Sequence, residues 1–268
     1  MKKTFILAVA ALIFISCQRN AITGRNQLSL VSESDVQAMA LTQYSTFLST
    51  NKVLLAGSNK NADMVKRCGN RLVNTITKYY AQNNLSDELA GYKWEVNLVE
   101  DKNINAWCMP GGKIVVYTGL LPVTQNETAL AIVMGHEIAH ALAKHGSERM
   151  SQGLIQQLGG VALQVAIKDK PSETQTLFNT AYGVGSNIGV MLPFSRKNEL
   201  EADKFGLMFA ALSGYDPREA IPFWTRMSQQ GGQKPPEFLS THPSDERRIA
   251  DLQAIMNETV SKYYKPVK

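Results

Sequence analysis

Cysteine is scarce in this chain: three residues in 268, at positions 17, 68 and 108. No C-x-x-C occurs and no histidine lies near Cys68 or Cys108, so neither a cysteine-based metal module nor a Cys/His nucleophile has local support. Charge is low as well. Lys2 and Lys3 contribute to the net +5, and without them 26 basic against 23 acidic residues leave +3, too little and too dispersed for nucleic-acid binding. There is no internal repeat and no apolar run that spans a bilayer: Thr4 to Ser16 is thirteen residues, and Leu154–Ile167 is broken by Gln156, Gln157 and Gln164. What remains is a globular composition, 44% hydrophobic and 19% charged, with length enough for a sizeable core.

Lys2 and Lys3 ahead of the short apolar run have the form of a secretory signal. It ends Phe14-Ile15-Ser16-Cys17, which resembles the lipobox of bacterial lipoproteins, with Phe14 where leucine is usual. The resemblance implies that residues 1–16 are removed, that Cys17 is lipidated, and that a lipid anchor holds the protein to a membrane on the periplasmic side of the bacterial envelope. Gln18, where aspartate would retain a lipoprotein at the inner membrane, favours the outer one. In that oxidising compartment Cys68 and Cys108 have two alternatives, a disulfide or two buried thiols.

Residues 17–31 are polar and turn-prone, as in a tether, and 32–268 read as a single domain. Ser32 or Ser34 caps a helix to about Leu48, and a second runs from Ala62 to about Ala81 with Val65, Leu72, Val73 and Ile76 toward a core. From Tyr92 the period changes to that of short antiparallel strands, with Ile104–Met109 and Lys113–Thr118 turning around Pro110-Gly111-Gly112. An edge strand at Gly112–Val116, with Gly112, Lys113, Ile114 and Val115 as substrate-binding residues, would take an extended peptide through main-chain hydrogen bonds. The T-x-x-E spacing of Thr124 and Glu127 is that of a capping box that starts a helix at Gln125. Gly183, Gly185 and Gly189 mark a lid-like stretch, and Asp216-Pro217-Arg218-Glu219 a strong helix start. The fold class is therefore α+β, mostly helical, with a small antiparallel sheet.

The chemistry lies in Gly135-His136-Glu137-Ile138-Ala139-His140, an H-E-x-x-H motif inside an apolar helix that begins at Ala129. Residues four apart stand one above the other, so His136 and His140 can face one metal ion, with Glu137 about 100° round on the flank. A core helix makes two histidines and a carboxylate costly without partners, and Zn2+ supplies one. Such a site lowers the pKa of a bound water to roughly 7, and Glu137 can take that water's proton. His145 falls about 140° off the metal face, which favours a structural or solvent role. Ala143 and Gly146 also depart from the longer motif with a third histidine. The best third ligand is in the helix that Ser195 caps: Glu199 and Asp203 share a face, Glu199 for the metal and Asp203 behind a ligand histidine. Glu201, some 200° from Glu199, reads as solvated.

H-E-I-A-H followed by S-R-x-x-E-x-E-A-D-x-x-G at 195–206 resembles the gluzincin metallopeptidase family of HtpX and the CAAX prenyl proteases. Thr23-Gly24-Arg25, Asn105-Ala106 with Pro110-Gly111-Gly112, and Thr241-His242-Pro243 with Arg247 are similar to its exported lipoprotein branch, the BepA-like and LoiP-like proteases. The resemblance implies one zinc on His136, His140 and Glu199 and Glu137 as general base. It implies substrates among misfolded or unassembled envelope proteins, and outer-membrane assembly machinery as a partner. It places His242 near the zinc, where restraint of activity and help to a developing oxyanion both stay open. It also allows a chaperone or assembly factor whose protease site is largely latent. If Cys17 carries the lipid, Cys17→Ser should move the protein from the detergent to the aqueous phase on phase partitioning; unchanged partitioning would exclude lipidation there.

Overall fold

The computed structural model describes residues 17–158, 171–182, 195–230, 237–242 and 246–266. The leader, the glycines at 183, 185 and 189, the end of the Leu154–Ile167 run and the loop at 231–236 lie outside the described residues. No described helix is long and apolar enough to cross a membrane.

The stretch expected to be a tether is folded. β1 (Cys17–Arg19) and β2 (Asn26–Leu28) pair antiparallel, with Cys17 opposite Leu28. Asn20 Oδ1 accepts from the Ile22 and Thr23 amides, and Gly24 adopts φ +68°, so the polar residues of this segment build a turn. α1 (Glu33–Thr50) starts at Ser32, whose hydroxyl accepts from the Asp35 amide, and α2 (Lys60–Gln82) starts at Asn59.

A four-stranded sheet follows, in the order β3 (Val53–Leu54), β4 (Glu95–Val99), β6 (Lys113–Tyr117), β5 (Ala106–Met109). The hairpin around Pro110-Gly111-Gly112 is antiparallel as expected, with both glycines at positive φ. β4 and β6, however, are parallel, with Glu95 opposite Lys113 and Val99 opposite Tyr117, so the sheet is mixed. The cause is the placement of β5: the chain leaves β4, runs up the outside, and turns back into the gap. β6 is thus an interior strand. Ile114 and Val116 pack into the cluster with α2 and the motif helix, and Val115 and Tyr117 into the opposite one with α1, so its apolar residues run on without alternation.

α3 (Leu121–Thr124) ends at Gln125, whose φ of +64° breaks the chain direction. The motif helix α4 (Glu127–Leu142) then starts at Asn126, which accepts from the Ala129 amide. Thr124 therefore closes the preceding turn and does not cap α4. α5 (His145–Leu158) and α6 (Pro171–Tyr182) lie on the other side of the sheet. α7 (Arg196–Leu212), capped by Ser195, runs along α4. Behind it come α8 (Ala220–Ser228), the short α9 (Glu237–Thr241) and α10 (Glu246–Tyr263). Asp216 caps a 3₁₀ turn at Pro217–Glu219 that leads into α8.

α4 and α7 touch backbone to backbone. A Cβ on Gly135 would stand 2.8 Å from the Gly206 carbonyl oxygen, and one on Gly206 would stand 2.8 Å from both the Cα and the amide nitrogen of His136. Gly206→Val should cost about 1–3 kcal/mol by overpacking and lower metal uptake, because Glu199 would be pushed off the histidines. Chemical denaturation and zinc titration measure both; an unchanged midpoint with full zinc content would refute this account of the helix contact.

Candidate metal centre

α4 stacks His136 and His140 on one face, and α7 carries Glu199 toward them. The loop after α9 adds His242, and all four side chains are buried. Their donor atoms converge. His136 Nε2 is 3.0 Å from His140 Nε2, 3.2 Å from His242 Nδ1 and 3.5 Å from Glu199 Oε2. Glu199 Oε1 is 3.3 Å from His140 Nε2 and 3.0 Å from His242 Nδ1. Ligands about 2.0–2.1 Å from a tetrahedral centre are separated by about 3.3 Å, so these separations are of the size that a zinc site requires.

The outer contacts orient this set. Asp203 Oδ1 lies 2.9 Å from His136 Nδ1, which puts the proton of that ring on Nδ1 and leaves Nε2 as the donor to a metal. Asp203 is in turn held by Arg248, whose Nε and Nη2 donate to its two oxygens at 2.8 and 2.7 Å. Arg248 Nη1 stands 3.1 Å from Glu199 Oε2, and the guanidinium lies 3.5 Å from the centroid of the Trp224 ring. The sequence resemblance includes the neighbouring Arg247 and gives it no role at the centre. α10 begins at Glu246, and its register turns Arg247 to the surface and Arg248 inward.

Three buried carboxylates, Glu137, Glu199 and Asp203, face one guanidinium, leaving two negative charges for a bound dication to balance. Burial would raise Glu199, but the charges of His242 and Arg248 and hydrogen bonds from His136 and His140 outweigh it and hold the carboxyl well below its ordinary range. Burial dominates at His140 and keeps it neutral, as a metal ligand must be. At His136 burial works the same way, but Asp203 and Glu199 overcome it and raise the imidazole to about 9, so the carboxylates draw a cation to this nitrogen. Glu137 is raised by burial, against the pull of His242 and His136. Its Oε1 makes no hydrogen bond to a described residue and lies 3.6 Å from His242 Nε2. A buried, unpartnered carboxylate oxygen next to convergent donors is what a base for water requires. The donor set thus fits a zinc ion.

Two residues read from the helical wheel alone stand differently. His145 does not project from α4, because α4 ends at Leu142 and Lys144 takes φ +55°, turning the next helix back. The His145 ring is buried, with Nδ1 2.9 Å from His140 Nδ1 and Nε2 2.9 Å from Glu201 Oε2. Glu201 is not solvated: it meets His145 and Arg25 Nε, the latter at 2.8 Å. Cys68 and Cys108 are free, buried thiols, and burial pushes Cys68 up to about 12. Cys17 lies in β1, at the start of the described chain. Gly112, Lys113, Ile114 and Val115 belong to the turn and interior strand β6, which is paired on both sides and offers no edge. Lys113 Nζ is spent on Glu95 and the Lys93 carbonyl, both at 2.5 Å. The outer strand on this side is β5, Ala106–Met109.

Comparison with known proteins agrees with this geometry. The chain is 38% identical over 187 residues to the mitochondrial metalloendopeptidase OMA1 of Arabidopsis thaliana, covering 68% of this chain and 36% of that protein. It is 31% identical over 266 residues to the mitochondrial metalloendopeptidase OMA1 of Danio rerio, covering 96% and 54%. With the β-barrel assembly-enhancing protease of Escherichia coli it shares 32% over 172 residues, covering 60% and 34%. The chain thus spans between about a third and a half of the length of these curated relatives. Residues 59–256, from the cap of α2 to α10 and including every residue of the donor cluster, match peptidase family M48, and the chain belongs to that family.

Proposed function

We propose that this protein is a zinc-dependent metalloendopeptidase that hydrolyses peptide bonds of misfolded or unassembled proteins in the bacterial envelope. The observation that carries the reading is the buried cluster of His136, His140, Glu199 and His242 donors, with Glu137 Oε1 beside it making no hydrogen bond to a described residue. His136, His140 and Glu199 would hold the ion, and zinc there would supply an activated water and polarise the scissile carbonyl. Glu137 takes the water's proton and returns it to the leaving amine. Asp203 keeps His136 in one tautomer, and Arg248 keeps Asp203 in place.

His242 stands in the place of a fourth donor, where water and a substrate carbonyl need room, so it restrains the site. It is carried by α9, whose Phe238 amide donates to the Ile104 carbonyl at 3.3 Å, just before the outer strand β5, and whose Phe238 ring stacks on His242. Displacing α9 would free the fourth position and the β5 edge together, and an extended substrate backbone would pair with β5. Restraint of this kind also favours a second reading, a periplasmic chaperone or assembly factor whose protease is largely latent. The leader and Cys17 support placement in the envelope with a lipid anchor, most consistently at the outer membrane. The Escherichia coli relative, a β-barrel assembly-enhancing protease, supports outer-membrane assembly machinery as a partner. The OMA1 relatives are mitochondrial by name, and the family alone does not choose between the two compartments.

Glu137→Gln should bind zinc stoichiometrically and lose casein cleavage by a factor of about 10²–10⁴; a variant that still cleaves at the unmodified rate refutes Glu137 as base. A cellular function that survives this substitution would favour the chaperone reading. His242→Ala should keep zinc and cleave casein faster than the unmodified chain. Slower cleavage would instead assign His242 to the reaction.

A further inference from the structure

The reading of the metal centre leaves one buried histidine without a role. His145 is fully enclosed, and its two ring nitrogens lie on a line from the centre to the N-terminal hairpin. His140 Nε2 faces the other donors, so the proton of that ring is on Nδ1, which donates to His145 Nδ1 at 2.9 Å. The proton of His145 is then on Nε2 and donates to Glu201 Oε2, again at 2.9 Å. Only one tautomer of each ring satisfies this order. Arg25 closes it from outside: Nε and Nη2 donate to the two oxygens of Glu201 at 2.8 and 3.1 Å, and Nη1 and Nη2 to those of Glu148 at 2.6 and 2.7 Å. Arg25 is itself largely enclosed, which strengthens these bonds over those of a surface pair.

The hairpin grips the centre at two further points. Asn20 Nδ2 donates to the Leu142 carbonyl and Gln27 Nε2 to the Ala143 carbonyl, at 3.3 and 2.7 Å, so both satisfy groups that the end of α4 leaves open. Glu148 also accepts from Asn198 Nδ2 at 3.1 Å, one residue before the ligand Glu199. Hairpin, α5 and α7 therefore meet around one guanidinium, and the hairpin holds the end of α4 through Asn20 and Gln27.

We propose that Arg25 is a positioning residue of the metal centre, acting through Glu201 and His145 to fix the ring and tautomer of the ligand His140. The N-terminal hairpin, next in sequence to the expected anchor, is then a working part of the site. Without Arg25 the carboxylates of Glu148 and Glu201 repel each other across the space it filled, and Glu201 is no longer held against His145. This inference rests on the reading that His140 binds zinc.

Zinc affinity by chelator competition, with the melting temperature of the zinc-free form, tests it on the full chain. His145→Phe should weaken zinc binding by roughly 10- to 100-fold and Arg25→Gln by about tenfold or less, the range for partners behind metal ligands. His145→Gln should recover most of the loss, because its carbonyl can accept from His140 and its amide can donate to Glu201. A hairpin that only adds stability would lower the melting temperature of the zinc-free form and leave the affinity of the folded protein unchanged. Affinities of His145→Phe and Arg25→Gln equal to that of the unmodified chain would overturn the proposal. If His145→Phe does not fold, Arg25→Gln and Glu201→Gln decide on the same criterion. Failure of the unmodified chain to bind zinc would overturn the metal reading itself and this inference with it.

Discussion

The site depends first on how closely two helices approach. Gly135 and Gly206 let α4 and α7 meet with no side chain between them, so that each backbone serves as the other's packing surface. That distance sets the reach of Glu199 and Asp203. Both are short enough that a helix displaced by the radius of a methyl group would take them out of bonding range of His136 and His140. The flanking apolar residues of α4, from Ala129 to Met134, pack against the sheet and α2 and fix the other side of the helix. The ligand geometry is thus a by-product of core packing.

The second constraint is charge. α4 is almost wholly buried, and Glu137, Glu199 and Asp203 add three acids to its surroundings. Arg248 offsets one, and a dication offsets the other two. Its guanidinium can sit there because it is saturated: Asp203 takes two of its donors, Glu199 faces a third, and Trp224 covers its face. This links the site to α10, over a hundred residues beyond the motif. Removing any one member leaves a buried charge unpaired, so the centre assembles as a unit with the fold around it.

Whatever follows from the period of a single element could be read from sequence. His136 and His140 share a face because they are four apart on one helix, and Glu199 and Asp203 for the same reason on another. The caps Ser32 and Ser195, the hairpin at Gly111 and Gly112 and the mostly helical α+β class belong with them. What depended on contacts between elements was not legible. The parallel pairing of β4 with β6 follows from a strand that enters between two others, which no local pattern records. His145 is outside the donor cluster as expected, but its partners were not legible, because the wheel was carried past the end of its helix. Glu201 was misread because the face opposite a ligand was assumed to meet water, whereas the N-terminal hairpin covers it. Arg248 was not singled out, because its inward position depends on the register of α10. One signal was present: the chain has only four histidines, and all four lie in the cluster or against it.

The two ends of the chain therefore act on the centre from opposite sides. From the C-terminal half, α9 brings His242 onto the donor set. From the N-terminus, the hairpin holds His140 from behind and leaves its metal-facing nitrogen untouched. The two arrangements differ in how they are held. α9 is five residues long, and it is held by the Phe238 amide on the Ile104 carbonyl, by the buried Phe238 ring and by the His242 ring among the donors. The hairpin is fastened by Arg25, Asn20 and Gln27 to three elements, and it cannot leave without unpairing buried carboxylates and helix-end carbonyls. Under the reading proposed above, displacement of α9 would open the site, and the hairpin would keep the remaining donors in register.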